Sequence, residues 1–463
     1  MHTDSVVFLS CFLPLAVLLY RLIPGRKPRS FLLLGASLLF YSFGGLAGLA
    51  ILLISAVANY LFARLIAKGC GGKILPTLAV VANLALLITY KYLNFFLQDV
   101  LGLPQAELSL AAPLGISFFT FKSISYLVDI YRKKNDAGSF WQFLLYISFF
   151  PQVMAGPITR FEDFCNALDQ SDRSFDAFAS GLRRFVIGLS KKLLLAATLG
   201  AAADRVFALS GGELSTALAW VGAVSYLLQI YFDFSGYSDM AIGLGMAFGL
   251  TTPENFRYPY IAPTVGDFWR RWHISLSGWF RDYLYIPLGG NRKGNVRAAL
   301  NKCIVFTLCG IWHGSAWTFL VWGLWHGLFS ALESLLPVKK WVKPVLGRIV
   351  GHIYTLLVVM LGFVMFRAQS VGQGMQIVCA MFAGSPAIPA ATVLLHRILT
   401  GEYVFALLLG AALCLPIVPW CKANTKINRF TEPISWFFCA VLFVLCLLKL
   451  ASGGFAPFIY AQF

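Results

Sequence analysis

The chain has 463 residues, of which 59% are hydrophobic and only 12% are charged, whereas about a quarter of an ordinary soluble domain is charged. This composition excludes a soluble globular protein and predicts an all-α polytopic membrane protein, with residues 1–463 forming a single membrane domain. The net charge of +17 does not indicate nucleic-acid binding, because the Lys and Arg residues lie mostly in short segments between apolar runs.

The apolar runs alternate with basic segments from the N-terminus onward. Val6–Tyr20 is predicted to be a retained span and not a cleaved signal, because no basic segment precedes it. Basic segments at 21–29, 132–134, 183–192 and 339–348 are predicted to be cytoplasmic, which would place both termini outside. Counted in this way, the chain crosses the membrane about eleven times.

Two apolar segments are predicted to be re-entrant or broken helices. Phe140–Pro151 is short and ends at a proline. Cys303–Leu332 carries no Asp, Glu, Lys or Arg, yet basic segments flank it on both sides, and its glycines at 310, 314, 323 and 327 would permit close packing or a break. Irregular backbone at membrane depth is tolerated only inside protein or along a cavity, so we expect a cavity here.

Two aspartates interrupt the apolar run Thr216–Leu250. Asp233 and Asp239 are expensive to bury and should face a cavity, a partner or water. Two interpretations are open at this point. The carboxylates either stabilise a helix end or break at the interface, or they belong to a functional site.

The segment from Phe268 to Tyr283 has apolar aromatic residues at helical spacing and arginines on the other side. This pattern predicts one basic amphipathic helix in or near the membrane interface. His273 falls on the apolar side of that helix and is therefore predicted to point into the protein. It is either a packing histidine or a functional one.

The charge-free run holds two near-duplicate motifs, Gly-Ile-Trp-His-Gly at 310–314 and Gly-Leu-Trp-His-Gly at 323–327. An ionisable side chain at membrane depth is a functional candidate, and a neutral imidazole can act as base or nucleophile. The motifs themselves do not favour His313 over His326. A metal site is not predicted, because a straight helix would separate the two histidines by about 20 Å and no acidic or cysteine ligand has suitable spacing.

These motifs and several others resemble the membrane-bound O-acyltransferase family, and within it the bacterial alginate O-acetyltransferase branch. The resemblance spans most of the chain. The matching motifs are Phe-Pro-Gln at 150–152, Gly-Pro-Ile at 156–158, Phe-Asp-Phe-Ser-Gly-Tyr-Ser-Asp at 232–239, Asn-Phe at 255–256, Phe-Trp-Arg-Arg-Trp-His at 268–273, Gly-Ile-Trp-His-Gly at 310–314, Phe-Arg-Ala at 366–368 and Phe-Ile-Tyr-Ala-Gln-Phe at 458–463.

The resemblance implies roles for individual residues. His313 corresponds to the invariant histidine of the family and His273 to its second functional histidine, which makes both catalytic candidates. His326 has no catalytic counterpart and is a structural or cavity-lining candidate. The further candidates along the substrate path are Asp233, Asp239, Trp272, Arg271 and Trp312.

The resemblance also implies an activity. An acetyl group would leave a cytoplasmic thioester such as acetyl-CoA and pass through a central tunnel in the cytoplasmic or inner membrane. A partner, either an extracytoplasmic SGNH-type transferase or a small membrane protein, would place it on a polysaccharide such as alginate, peptidoglycan or cellulose. Beyond this donor substrate no cofactor is expected.

Two alternative functions share the sequence features described above. A transporter or channel also has broken helices and buried polar residues along its path. A lipid- or protein-directed acyltransferase of the same family would differ by a tunnel wide enough for a long acyl chain. Thioester hydrolysis by the purified protein would exclude a pure transporter.

Overall fold

The structure is a computed structural model that describes residues 3–103, 110–384, 388–417, 419–420 and 425–453. These residues form helices joined by turns and loops, and no β-strand occurs among them. The motif at 458–463 and Glu107 of the predicted outer loop lie outside the described residues. The prediction of an all-α protein is confirmed.

The longer helices are numbered in chain order, and short helical turns are left unnumbered. The N-terminal helices are α1 (Phe8–Leu22), α2 (Arg26–Ser42), α3 (Leu46–Ala67), α4 (Ile74–Lys91), α5 (Ile116–Tyr131), α6 (Phe140–Ser148), α7 (Phe161–Asp169), α8 (Phe175–Phe207) and α9 (Thr216–Ala247). The C-terminal helices are α10 (Val265–Arg271), α11 (Ile274–Phe280), α12 (Gly294–His313), α13 (Trp317–Leu335), α14 (Val345–Arg367), α15 (Val371–Phe382), α16 (Pro389–Ile398), α17 (Gly401–Leu413) and α18 (Thr425–Ala451).

Six helices in the described part of the chain are long and apolar enough to cross a membrane. They are α3, α4, α8, α9, α14 and the Pro433–Ala451 part of α18. Helices α16 and α17 meet at a bend of 67° and add a seventh span if they are counted together. The polytopic prediction is confirmed. The count of about eleven included shorter apolar helices such as α1, which do not reach the length of a straight span.

The chain forms two compact units, the first from residues 1–185 and 237–254 and the second from residues 186–236 and 255–463. The boundaries between the units fall within α8 and α9. That residues 1–463 act as a single membrane domain therefore stays a prediction.

Helix α6, in the first unit, is too short to cross a membrane. Its nine residues extend for about 14 Å, whereas the hydrocarbon core is about 30 Å thick. It begins with a capping box in which the Ser139 hydroxyl accepts from the Gln142 backbone amide at 3.2 Å. The prediction that this segment is not a full span is confirmed.

The turn after α6 is held by a buried lysine. Lys122 on α5 donates to the backbone oxygen of Tyr146 at 2.9 Å and to the side-chain oxygen of Gln152 at 3.0 Å. These bonds compensate a cation that burial would otherwise destabilise.

An asparagine pair joins α3 and α4 in the first unit. Asn83 donates to Asn59 at 2.6 Å, and Asn59 donates back to Asn83 at 3.2 Å. Only 28% of the residues in the apolar stretch of α3 and 22% of those in α4 are buried, so much of the surface of both helices is exposed. Polar side chains join helices in lipid, where apolar surface gains little from association.

We expect the Asn83→Leu substitution to lower the free energy of unfolding by about 1 kcal/mol, because it removes both interhelical hydrogen bonds. Thermal unfolding in detergent, followed by circular dichroism, measures the change. Leu84→Ala at the neighbouring exposed position is the control and should shift the melting temperature less. Equal melting temperatures for Asn83→Leu and the unmodified protein would contradict the prediction.

The basic segment 183–192 is not a loop, so that prediction is wrong in this respect. Helix α8 runs without interruption from Phe175 to Phe207. Arg184, in the first unit, donates to Asp239 at 2.9 Å and to Glu254 at 2.6 Å. Lys192, in the second unit, donates to Asp233 at 3.0 Å. Basic residues whose charge is neutralised within a helix bundle do not mark a cytoplasmic loop.

The two aspartates of α9 do not end or break the helix, so that interpretation is also wrong. Helix α9 is continuous from Thr216 to Ala247. The ion pairs of Asp233 and Asp239 satisfy both carboxylates while the backbone stays helical. Close packing of α9 against α8 in the second unit depends on Gly236, where a Cβ atom would lie 2.7 Å from the backbone oxygen of Gly188.

Candidate functional site

The charge-free apolar run folds as a helical hairpin in the second unit. Helix α12 ends at His313, α13 begins at Trp317, and the chain reverses between them. Glycines bring the two helices together, since a Cβ atom on Gly323 would lie 2.5 Å from the backbone oxygen of Phe306 and one on Gly310 would clash with the backbone oxygen of Phe319. The predicted broken helix pair is confirmed, and its members are longer than expected, at 20 and 19 residues.

His313 is the last residue of α12 and is buried. The next residue is Gly314 in extended conformation, where a Cβ atom would overlap the ring of Phe319. The imidazole packs among aromatic rings, with centroids 5.0 Å from Trp322 and 5.3 Å from Phe366. The end of the helix therefore fixes this histidine within an apolar surround.

The predicted amphipathic helix is wrong as a single helix, because it breaks at Trp272 and His273. Helix α10 ends at Arg271, α11 begins at Ile274, and His273 between them is left-handed with φ of 44°. At the break, backbone hydrogen bonds to the segment 255–257 replace the helical ones. The Arg257 amide donates to the backbone oxygen of Arg271 at 2.9 Å, and the Ile274 amide donates to the backbone oxygen of Asn255 at 3.0 Å. A left-handed residue other than glycine costs about 1–3 kcal/mol and is characteristic of functional sites.

Helix α10 is anchored at its start by two side chains. The Thr264 hydroxyl accepts from the Asp267 amide at 3.0 Å, and the Glu333 carboxylate on α13 accepts from the amides of Val265 at 2.6 Å and Gly266 at 2.8 Å. Anions at a helix N-terminus satisfy otherwise unpaired backbone donors. The hairpin thereby fixes α10 in place.

Asn255 determines which nitrogen of His273 carries a proton. Its buried side-chain oxygen accepts from the Ser275 amide at 3.2 Å and from the Ser275 hydroxyl at 2.9 Å, and it lies 3.1 Å from Nδ1 of His273. An amide oxygen can only accept, so Nδ1 of His273 carries the hydrogen of this bond. Nε2 is then the nitrogen with a lone pair.

His273 is buried, as predicted, and its ring packs edge to face with Phe234 of α9, with 4.6 Å between the centroids. His273 lies outside the membrane-spanning helices, and burial lowers the pKa of its imidazole to about 3. The ring is therefore neutral at physiological pH, which suits it to hydrogen bonding more than to holding a proton.

Both histidines line one cavity of about 210 Å³, which we call the histidine cavity. Its walls are mainly apolar and come from α10, α11 and α12: Trp269, Trp272, Leu276, Phe280, Val305, Phe306 and Cys309. Its polar lining residues besides the histidines are Ser277, Arg281, Tyr285 and Lys302. Among the sequence candidates, the structure thus brings His313, His273 and Trp272 together.

One face of α12 forms a wall of the histidine cavity. Lys302, Phe306, Cys309 and His313 follow each other at three- and four-residue steps, which place them on the same side of a helix. Eleven residues separate Lys302 from His313, about 16 Å along the axis. The wall therefore carries a cation at one end and an imidazole at the other.

His326 is fully buried but does not line the histidine cavity. Its ring centroid lies 5.0 Å from those of Trp269 and Trp322, and its Nε2 packs against Gly362, where a Cβ atom would be 2.5 Å away. Since Trp269 is itself a wall of the cavity, His326 supports that wall from behind. The near-duplicate motifs thus differ in what their imidazoles contact.

The remaining candidates lie elsewhere. Arg271 forms an ion pair with Asp267 at 2.8 Å on a half-exposed surface, and Asp239 belongs to the ion pair with Arg184 in the first unit. The Trp312 ring packs edge to face with His313, with 5.0 Å between the centroids, and does not line the cavity. Asp233 lines a second cavity in the second unit, together with Lys192. Within the described residues, no group of three His, Cys, Asp or Glu side chains is arranged to hold a metal ion.

Most of the lining residues were not among the sequence candidates, and four of the polar or positioning ones matter here: Asn255, Arg281, Lys302 and Cys309. Counting back from His313 in helical steps would have found Lys302 and Cys309. Asn255 gave no such signal, because its contact with His273 is tertiary and joins residues 18 positions apart.

Comparison with known proteins identifies the family of the chain. The sequence model of the membrane-bound O-acyltransferase family matches residues 118–371. The probable alginate O-acetylase AlgI of Azotobacter vinelandii is 37% identical, with 99% of each chain covered. That of Pseudomonas aeruginosa is 40% identical over 82% of this chain and 74% of its own. The peptidoglycan O-acetyltransferase of Helicobacter pylori is 35% identical over 82% of this chain and 79% of its own.

The matched region, residues 118–371, includes both histidines of the cavity, the hairpin and Asn255, and the relative from Azotobacter vinelandii aligns with 99% of the chain. The same chain holds several membrane-spanning helices. This protein is therefore a multi-pass membrane O-acyltransferase and belongs to the membrane-bound O-acyltransferase family.

Proposed function

We propose that this enzyme takes an acetyl group from a cytoplasmic thioester such as acetyl-CoA and passes it across the inner membrane towards an extracytoplasmic polysaccharide. His313 and His273 are the catalytic residues of this proposal. The observation that carries it is the single apolar cavity lined by both imidazoles. A cavity with little water protects a reactive acyl group from hydrolysis.

His313 performs the chemical step by one of two routes. As a base, its neutral imidazole takes the proton of an acceptor hydroxyl while the oxygen attacks the thioester carbonyl; the C–S bond breaks and the thiolate then takes that proton. As a nucleophile, the imidazole displaces the thiolate to form an acyl-imidazole, which the hydroxyl then attacks. Both routes need the imidazole beside the thioester.

The polar lining of the histidine cavity suits a phosphate-bearing thioester. Arg281 and Lys302 supply cations, and the Lys302 wall extends for about 16 Å before it reaches His313. A donor whose phosphates lie near these cations presents its thioester to the imidazole. His273, held by Asn255, orients the donor by hydrogen bonding.

The cavity volume supports a short acyl group. Sites that enclose whole drug-sized ligands measure about 300–1,000 Å³, so about 210 Å³ accommodates the reactive end of a donor and not a long acyl chain. A polysaccharide cannot enter such a space. We therefore propose that a partner, an extracytoplasmic SGNH-type transferase or a small membrane protein, completes the transfer to a polymer such as alginate, peptidoglycan or cellulose, the first two of which are the substrates named for relatives.

The test uses purified protein in liposomes, with release of free coenzyme A followed by mass spectrometry. Acetyl-CoA should be cleaved at least about tenfold faster than octanoyl-CoA, because a long chain exceeds the cavity. In cells, deletion of the gene should remove O-acetyl groups from an envelope polysaccharide. Preference for octanoyl-CoA would overturn the acetyl assignment, and absence of thioester cleavage even with membrane extract present would overturn the proposal.

The two histidines should give different phenotypes when replaced by alanine. His313→Ala should retain donor binding and lose turnover, whereas His273→Ala should weaken donor binding as well as turnover. The measurement is kcat and KM for acetyl-CoA in each variant. An unchanged KM in His273→Ala would exclude a donor-orienting role for His273.

Asn255 is a positioning residue, and its replacement by alanine should lower turnover by about 10- to 100-fold. The loss of a buried acceptor costs about 1–3 kcal/mol, and each 1.4 kcal/mol is a factor of ten in rate. Asn255→Asp, which keeps an acceptor oxygen, should recover part of the activity. Ser330→Ala, a buried polar change outside this network, is the control. If alanine and aspartate at 255 behave alike, the hydrogen bond to His273 does not matter.

A further inference from the structure

The second unit contains another cavity, of about 490 Å³, that the acyl-transfer proposal does not use. Its walls come from α8, α9, the elbow between α16 and α17, and α18. We call it the charged cavity, because its lining includes the carboxylates of Asp204, Asp233 and Glu402 and the cations of Lys192, Arg205, Arg397 and Lys449.

The charged cavity reaches the ends of two membrane-spanning helices. Arg205 is two residues from the end of α8, and Lys449 is two residues from the end of α18, both of which are membrane-spanning helices. Since these two ends border the same cavity, they lie on the same side of the bilayer. This is the depth at which lipid headgroups are found.

The cationic side chains that line the charged cavity outnumber its carboxylates. Each lining carboxylate has a cationic partner: Asp233 pairs with Lys192 at 3.0 Å, Asp204 with Arg367 at 2.6 Å and Glu402 with Lys449 at 3.6 Å.

Two lining arginines, Arg205 and Arg397, form no ion pair with a carboxylate in the described part of the chain. Arg205 makes only a long hydrogen bond, 3.5 Å, to the backbone oxygen of Arg397. Two guanidinium groups that line one cavity and form no ion pair among the described residues suit a phosphate, which accepts hydrogen bonds from guanidinium groups in pairs.

Deeper in the cavity, a carboxamide has an unsatisfied end. Among the described residues, the side-chain oxygen of Gln229 is buried without a hydrogen-bond partner. The amide lies against Gly200, where a Cβ atom would be 2.5 Å from Nε2 of Gln229. Gly200 precedes Arg205 by five residues, about 7.5 Å along the helix. A hydroxyl group attached to a phosphate at the arginines could reach this carboxamide.

The surfaces beside the cavity face lipid. Only 11% of the residues in the most apolar stretch of Pro433–Ala451 are buried, and Phe405 and Leu408 of α17 are exposed. Acyl chains of a lipid whose headgroup enters the cavity can lie along these apolar faces. A soluble phosphate has no acyl chains, so it would gain no binding free energy from these apolar faces.

We propose that the charged cavity binds the headgroup of an anionic phospholipid that carries hydroxyl groups, of the phosphatidylglycerol type. The phosphate lies at Arg205 and Arg397, and the glycerol hydroxyls extend towards Gln229. Zwitterionic lipids are disfavoured because their ammonium group would meet the two arginines.

The test is native mass spectrometry of the full-length protein released from detergent, with lipid adducts counted during titration. Phosphatidylglycerol should bind at least about tenfold more tightly than phosphatidylcholine, because the ammonium group of phosphatidylcholine would be repelled by the two arginines. The double variant Arg205→Gln/Arg397→Gln should lose this preference. Lys343→Gln, an exposed basic residue outside the cavity, is the matched control and should keep it.

Two further arms identify the ligand. Phosphatidylmethanol has the same charge as phosphatidylglycerol but no hydroxyl, so the unmodified protein should prefer phosphatidylglycerol. Gln229→Leu should abolish this preference for phosphatidylglycerol over phosphatidylmethanol. Glycerol phosphate in solution should not displace the lipid at millimolar concentration. Equal binding of phosphatidylglycerol and phosphatidylcholine, or retained preference in the double variant, overturns the site. Displacement by glycerol phosphate overturns a lipid as its ligand.

Discussion

Replacement of His313 by alanine is expected to abolish acyl transfer while the protein still inserts and folds. The imidazole lies at the end of α12 in an apolar cavity, and the other histidine of that cavity, His273, is fixed by Asn255 at a different position. General-base catalysis contributes about 100- to 10,000-fold, and loss of a covalent carrier costs at least as much. Release of coenzyme A from acetyl-CoA and acetylation of the polymer measure the effect.

The hairpin provides a matched control for this experiment. His326→Ala changes the near-duplicate motif on α13, whose imidazole packs behind Trp269 and does not line the cavity. It should lower the melting temperature more than the activity. His313→Gln, which keeps most of the side-chain volume, separates loss of chemistry from loss of packing. Near-normal acetylation in His313→Ala, or an equally inactive and well-folded His326→Ala, would show that the assignment of the two motifs is wrong.

Replacement of Lys192 by methionine is expected to destabilise the protein by about 3–5 kcal/mol, because it leaves the Asp233 carboxylate buried without its cation. The two side chains are only 2% and 6% exposed, so the unpaired carboxylate would be poorly hydrated. Yield from detergent extraction and the thermal unfolding midpoint report the change. Lys134→Met, in an ion pair whose lysine is 54% exposed, is the control and should cost at most about 1 kcal/mol.

A second variant separates loss of the pair from loss of the lysine. Lys192→Met/Asp233→Leu removes both charges and should recover much of the stability, because buried ion pairs are often replaceable by apolar residues. If Lys192→Met is as stable as the unmodified protein, other groups must stabilise the Asp233 carboxylate, and the ion pair is not needed for folding.

The features that could be predicted from the sequence are those that follow local patterns. The apolar run from Cys303 to Leu332 predicted a broken helix pair, because length, missing charge and glycines all lie within thirty residues. The family motifs located His313 and His273. The apolar face from Phe268 to Tyr283 also predicted the burial of His273 correctly.

The features that could not be predicted from the sequence depend on tertiary contacts. The break at His273 arises from hydrogen bonds to Asn255 and Arg257, which helical periodicity cannot reveal. The pairing of Lys192 with Asp233 joins residues 41 positions apart, so Lys192 looked like part of a basic loop. The preference for His313 over His326 as a cavity residue depends on where the rings lie in the hairpin, since their neighbours in sequence are nearly identical.

One turn of α9 separates the histidine cavity from the charged cavity. Phe234 packs on His273 and Tyr231 contacts Trp272, whereas Asp233 lines the charged cavity and binds Lys192. Only one helix lies between the two cavities, and neighbouring side chains of that helix point towards different cavities. A substitution that moves this turn of α9 therefore shifts side chains that contact residues of both cavities.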